Sequence, residues 1–172
     1  MEFGHYTARA AAAAAELVNA RTADGLAALP ADLQPPSELP RDAPARLAEL
    51  ARRLHAVFAA GDEAEATTAI NDLLDDLPLR PRLSRHDGKP AHLHFAPDDA
   101  DPVTRMACNT AMALATIAGE HGHQRLCVCA LPECGTAFVD TSRNGRRRFC
   151  SPGCANRAHV REHRRRATAP GR

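Results

Sequence analysis

The sequence predicts a mainly α-helical protein: an N-terminal helical domain with a small β-hairpin, followed by a compact C-terminal module in which a knuckle, a hairpin and a helix gather cysteines. Three observations carry this expectation. Apolar residues recur three and four apart through much of the first two thirds of the chain, and four of the six cysteines form two close pairs between positions 129 and 154. Aromatic residues make up only 3% of the 172 positions, with no tryptophan, so a core must be built from Leu, Ala, Val and Ile packed between helices.

The segment TARAAAAAAELVNART reads as a first helix, capped at Thr7 and carrying Leu17 and Val18 into the core. Five prolines in DGLAALPADLQPPSELPRDAP then interrupt regular structure, leaving room for a short helical turn at Leu26 to Leu29. A helical period returns at Ala45, where Leu47, Leu50, Leu54, Val57 and Phe58 form one stripe. Gly61 stops that helix. Asp62 followed by Glu65 resembles a capping box, and Ala66, Ala69, Ile70, Leu73, Leu74 and Leu77 make the stripe of a helix running back along it. Past Pro78 and Pro81 the pattern predicts a small hairpin around Asp87 and Gly88, with Leu83, Leu93 and Phe95 on its inner face. Asp101 before Pro102 then starts a last body helix, with Val103, Met106, Thr110, Ala113 and Ile117 on one side and Gly119 or Gly122 at its end.

No apolar run reaches the roughly 18 residues of a membrane span, and the Ala10 to Ala15 tract is a helix former rather than the apolar centre of a signal peptide. These features predict a cytoplasmic protein without a membrane partner, in which paired cysteines bind metal rather than cross-link. The formal net charge of +1 hides an asymmetry. Positions 1–140 hold 12 Lys and Arg against 20 Asp and Glu, a balance of −8, whereas positions 141–172 hold 10 Arg against Glu162 alone, a balance of +9. A polycationic end on an acidic body points to a nucleic acid or another polyanion.

Cys129-x4-Cys134, fifteen intervening residues and Cys150-x3-Cys154 supply four thiolates, the donor set of a closed tetrahedral Zn2+ site. Between the pairs, Phe138 to Thr141 and Arg147 to Phe149 are expected to pair as strands across Asn144-Gly145. Ser151 and Pro152 read as the cap and first-turn residue of a helix bearing Cys154. Knuckle, hairpin and ligand-bearing helix make a treble-clef-like arrangement that metal must stabilise, because Phe138, Val139 and Phe149 are too little core for some 30 residues. Cys127 offers a competing first ligand; a loop of two to four residues between ligands favours Cys129. Cys108 reads as a buried helical thiol, and His121 and His123 as solvated residues or substitute ligands.

Beyond Cys154, Arg157, Arg161, Arg164 and Arg165 recur on one helical face, and Arg143, Arg146, Arg147 and Arg148 cluster on the preceding loop. An arginine-lined helix anchored on a metal is expected to contact nucleic acid, with duplex DNA ahead of RNA because stacking aromatics are scarce.

These residues resemble the CGNR zinc finger family, whose Cys-Gly-Asn-Arg run stands here as Cys154-Ala155-Asn156-Arg157. The likeness extends to Cys134-Gly135, to Phe138-x-Asp140-x-Ser142 and to Phe149 before the third cysteine, with Ala155 in the glycine position as a departure. In that family the finger commonly follows a helical ABATE domain, to which AELVNAR, the helical pair from Ala45 to Leu77 and HLHF are similar. The resemblance implies a bacterial, stress-induced, DNA-binding transcription regulator whose N-terminal domain senses a signal or binds a partner. It divides the chain into a body at 1–122, a finger at 123–166 and a disordered tail at 167–172. The ligand of the body, if it has one, is unknown.

An enzyme is not expected. The chain has no phosphate-cradling glycine loop and no nucleophile paired with a base, and four cysteines would fill a tetrahedral zinc site. His86, His92 and His94 are the clustered histidines of the body, with His92 and His94 expected to face solvent from one side of a strand. The competing function is a zinc-stabilised adaptor that binds RNA or protein, since this kind of finger serves many roles.

Overall fold

Four helices close around one apolar core in the computed structural model, which describes residues 4–20, 39–85 and 91–168. They are α1 (His5–Ala20), α2 (Ala43–Ala59), α3 (Glu63–Asp75) and α4 (Pro102–His121). The alanine tract gives α1 a thin face, with Ala11, Ala14 and Leu17 fully buried, so this helix can lie close along α4, its most extensive neighbour. Leu54, Val57, Phe58, Leu73, Leu114 and Ile117 fill the centre at 2% exposure or less. Each such side chain is worth about 1.5–3 kcal/mol in apolar surface removed from water, which lets a core without tryptophan hold. The stripe expected on α2 is buried in full, and on α3 Ala66, Ile70 and Leu73 are buried with Ala69, Leu74 and Leu77 packed beside them.

The helix starts follow their local chemistry. Asp62 Oδ1 accepts from the Glu65 N–H at 2.9 Å, while Glu65 Oε2 accepts from the Gly61 N–H at 2.8 Å, one residue beyond the N-cap that a reciprocal capping box would use. At α4, Asp101 Oδ1 accepts from the N–H groups of Val103 and Thr104, and Oδ2 accepts from Arg46 Nη2 at 3.0 Å. The cap of α4 is therefore also its ionic tie to α2. Burial pushes the Asp101 carboxyl up, but hydrogen bonds from Thr104, Arg46 and the Val103 N–H outweigh it and hold the pKa down at about 2.

Between α3 and α4 lies a hairpin of β1 (Arg82–Ser84) and β2 (His92–His94), antiparallel with Leu83 opposite Leu93. Of the expected inner face only Phe95 is half-buried, and the two leucines turn outward. Leu83 and Leu93 are 71% and 53% exposed, whereas His92 and His94 are half-buried, with the Tyr6 ring stacked on His92. A three-residue strand cannot bury both faces, and Tyr6 at the start of α1 gives the histidine side something to pack on. The expected turn around Asp87 and Gly88, His86, and the expected helical turn at Leu26 to Leu29 lie outside the described residues. No helix among the described residues is long and apolar enough to cross a membrane.

The last elements are β3 (Leu126–Val128), β4 (Ala137–Val139) and α5 (Pro152–Thr168), which runs two residues into the segment expected as a tail. Here the strand pairing differs from expectation: β4 pairs with β3, Cys127 opposite Phe138, and Arg147 to Phe149 form no strand. The reason is the period of two along the ribbon. Leu126, Val128, Ala137 and Val139 turn to one side and join the helical core, while Cys127 and Phe138 turn to the other and face the cysteines. Pairing 126–128 with 137–139 satisfies two apolar clusters at once, which Arg147 to Phe149 could not. Across this wall Asn19 on α1 grips the free edge of β4: its Nδ2 donates to the Ala137 carbonyl and its Oδ1 accepts from the Ala137 N–H, both at 2.8 Å.

Candidate metal centre

Between β3 and β4 the chain makes a tight knuckle. The Cys134 N–H donates to the Leu131 carbonyl and the Cys129 N–H to the Thr136 carbonyl, each at 2.9 Å, and Gly135 takes a φ of 63°, which a glycine adopts without strain. The knuckle therefore turns the Cys129 and Cys134 side chains to one side. After β4, the fully buried Asp140 organises the return path: Oδ1 accepts from the Ser142 N–H and Oδ2 from the Arg147 N–H, both at 2.8 Å. Burial raises the Asp140 pKa, but the Ser142 and Arg147 hydrogen bonds win and lower it. Gly145 sits in this loop at φ 58°, where an added Cβ would lie 2.8 Å from the Arg125 guanidinium carbon; both conformation and space call for glycine. Arg125 is itself buried and donates to the carbonyls of Asp140 and Ser142. The Arg148 carbonyl then accepts from the Ala130 N–H at 2.8 Å, bringing the second pair of cysteines beside the first.

At the start of α5, Ser151 Oγ accepts from the Cys154 N–H at 3.2 Å, so Cys154 enters in the first helical turn. The result is one cluster: the sulfurs of Cys129, Cys134, Cys150 and Cys154 all lie within 4.8 Å of one another. Cys134 to Cys150 and Cys150 to Cys154 are 3.6 Å, and Cys154 to Cys134 is 3.7 Å. Four sulfurs at the usual Zn–S distance of about 2.3 Å stand about 3.8 Å apart at the corners of a tetrahedron, so the donor set fits a metal ion in both chemistry and size. Leu131, Phe138 and Phe149 pack around it. Leu131, at 1% exposure, is the apolar residue of this module that sequence reading missed, and Val139 belongs to the helical core instead.

The sulfurs are held by polar neighbours. Thr136 Oγ1 lies 3.1 Å from Cys134 Sγ, and its hydrogen bonds lower the Cys134 pKa. Arg157 Nη2 donates to Cys154 Sγ at 3.1 Å; with the Ser151 hydrogen bond, which contributes most, it lowers the Cys154 pKa to about 6. Burial and the adjacent sulfurs push Cys150 up to about 12. Sulfurs this close cannot all be anionic without a cation among them, and a divalent ion removes that conflict. Cys127 stands apart, its thiol donating to the Gln124 carbonyl at 3.1 Å, with its pKa raised to about 11 by burial and by the Asp140 charge. Cys108 is fully buried on α4, and burial raises its pKa. His121 closes α4 and His123 opens the 3-10 turn after it, both outside the sulfur cluster.

Residues 125–167 match the CGNR zinc finger family. The match spans a quarter of the chain and contains all four clustered cysteines, and a zinc finger family suggests zinc as the ion the sulfurs could hold. No curated protein matches the chain. The finger's Asp140, Ser142 and Arg157 gain physical roles from the geometry: the carboxylate folds the loop, the Ser142 N–H and carbonyl tie into it, and the arginine answers the charge of a ligand sulfur.

The arginines expected at a nucleic-acid surface separate into two groups. Arg157 is engaged with Cys154, and Arg147 donates to the carbonyls of Phe149 and Cys150 while lying over the Phe138 ring. Arg161 reaches Glu133 on the knuckle at 3.3 Å and so ties the helix to the first cysteine pair. Arg143, Arg146, Arg148, Arg164, Arg165 and Arg166 are exposed, with Arg165 and Arg166 sharing the single carboxylate of Glu162.

Proposed function

We propose that this chain is a zinc-dependent regulator, not an enzyme, that contacts duplex DNA through the outward arginines of its finger. The observation that carries the reading is the placement of Arg164, Arg165 and Arg166 on an exposed helix rooted at Cys154, about 15–18 Å of helix beyond it, beside a loop that presents Arg143, Arg146 and Arg148. One glutamate for ten arginines leaves this end strongly cationic. Guanidinium groups on a rigid, metal-anchored frame suit phosphate contacts at little cost in ordering. In this reading Arg147 and Arg157 maintain the finger, and Arg161 exchanges Glu133 for phosphate. The similarity of the helical body to ABATE domains extends the proposal to a cytoplasmic, stress-responsive transcription regulator in which the body receives the signal.

The test is fluorescence anisotropy of a labelled duplex against zinc-loaded protein at several salt concentrations. About five phosphate contacts would make log affinity fall against log salt with a slope of about −4 to −5, and Arg164→Ala with Arg165→Ala should flatten it by about 2 while zinc content stays unchanged. Arg157→Ala should instead weaken zinc retention, because it removes the donor to Cys154 Sγ. Zinc-loaded protein that binds no duplex at low salt sinks the proposal in favour of a protein-binding adaptor, and tighter binding to single-stranded RNA redirects it to an RNA-binding one.

A further inference from the structure

We propose that His92 and His94 form a second metal site, in the helical body, that takes a divalent ion of the Ni2+ or Cu2+ type. The two residues lie two apart on β2 and so project from the same side of the hairpin. Their Nε2 atoms converge to 3.0 Å, and both side chains are half-buried. The Tyr6 ring stacks on His92 with centroids 4.3 Å apart and planes 11° from parallel, which fixes the plane of that imidazole. The histidine rings themselves are 4.9 Å apart and tilted by 38°. Two nitrogens 3.0 Å apart, each about 2.05 Å from a common ion, subtend about 94° at it. That is close to the angle between adjacent ligands in a square-planar or octahedral shell, and a pair of imidazole nitrogens with the remaining positions left to water suits Cu2+ and Ni2+. The nearest cross-strand charge is tempered: Arg82, opposite His94, is held by Asp98 at 2.7 Å.

On metal binding the hydrogen now shared between the two nitrogens moves through solvent to Nδ1 of the ring that carried it, which frees an Nε2 lone pair on each neutral imidazole for the ion, with water completing the shell. It is chemically distinct from the finger, whose soft thiolates select zinc. The chain has a single tyrosine and no tryptophan, so the ring stacked on His92 is an intrinsic optical reporter for this site.

Tyrosine emission of the full-length, zinc-loaded protein is titrated with Ni2+, with zinc release followed by a chromogenic chelator. The expected result is quenching that saturates at one Ni2+ per chain without loss of zinc, and no quenching by Mg2+, which seeks oxygen ligands. His92→Asn and His94→Gln should each raise the Ni2+ concentration for half-saturation at least tenfold, with far-UV circular dichroism unchanged. Two other histidine pairs are close in sequence, His121 with His123 and His159 with His163 on α5; each pair is replaced by glutamine in a separate variant, and the quench should persist in both. Quenching in the unaltered protein that never saturates, an affinity untouched by both β2 substitutions, or loss of the site with either of those pairs would each overturn the proposal.

Discussion

Asn19 offers a direct test of whether the finger and the helical body share one structure. Its amide makes two bonds of 2.8 Å to the main chain of Ala137, and both are partly buried. Replacing it with alanine deletes two hydrogen bonds, each worth about 0.5–1.5 kcal/mol net, and leaves an N–H and a carbonyl on the outer edge of β4 to find water in a partly covered position. We expect a loss of about 2 kcal/mol, roughly a thirtyfold drop in the folding constant. The assay is urea unfolding of the zinc-loaded chain followed by circular dichroism, run beside competition for zinc with a chromogenic chelator. Because Leu126, Val128, Ala137 and Val139 belong to the helical core, the destabilisation should appear in both readouts, with zinc transferred to the chelator up to about thirtyfold more readily. A stability loss below about 0.5 kcal/mol would refute the weight given to the bonds. A full loss with zinc affinity intact would refute the shared core and support two independently folding units.

Zinc analysis of single cysteine variants should give one ion per chain for the unaltered protein and for Cys127→Ser, whose thiol is bonded to the Gln124 carbonyl, and sharply reduced content for serine at Cys129, Cys134, Cys150 or Cys154. Retention in Cys129→Ser with loss in Cys127→Ser would exchange those two ligands. Asp101 sets an acid limit on the body: its folded pKa of about 2 lies below the ordinary aspartate value of about 3.9, so its contribution is present in full above about pH 4 and is lost as pH falls toward 2. With a third of the side chain in water, that contribution is about 2 kcal/mol, and Asp101→Asn should be less stable by this amount at pH 7 yet flatter between pH 4 and 2; an acid transition identical to the unaltered protein's would contradict it.

What the sequence made legible was what is local. The caps at Asp62, Asp101 and Ser151 each act within three residues of their own position, and the stripes on α2, α3 and α4 are helical periods that a single core must bury. The cysteine spacing was legible for the same reason, since a knuckle and a helical first turn leave their ligands few places to go. Strand pairing was not. Asn144-Gly145 is a strong turn signal, and Gly145 does take a positive φ, but the loop it bends is folded by Asp140 and Arg125 rather than by strands. The real partner of β4 was hidden because β3 is three residues long and two of them look like core. Asn19 was invisible as a bridge: its partner lies 118 residues away, and an asparagine in the last turn of a helix reads as a poor helix former and nothing more.

The same non-local contacts explain why the arginines could be counted from sequence but not sorted. Periodicity alone gives Arg157, Arg161, Arg164 and Arg165 equal standing on one face. Distance from the metal separates them, because a helix entering at Cys154 brings its first turn against the sulfurs and its second against the knuckle, and only its later turns clear the finger. Arg157 therefore meets a ligand sulfur, Arg161 meets Glu133, and Arg164 to Arg166 extend past both. The residues nearest the ion spend their charge inward to hold the helix, and that rigidity is what would let the outer ones meet a polyanion without being ordered by it. Weakening Arg157 should then lower affinity for any polyanion indirectly, in step with zinc loss, whereas weakening the outer set should change affinity and leave the metal in place.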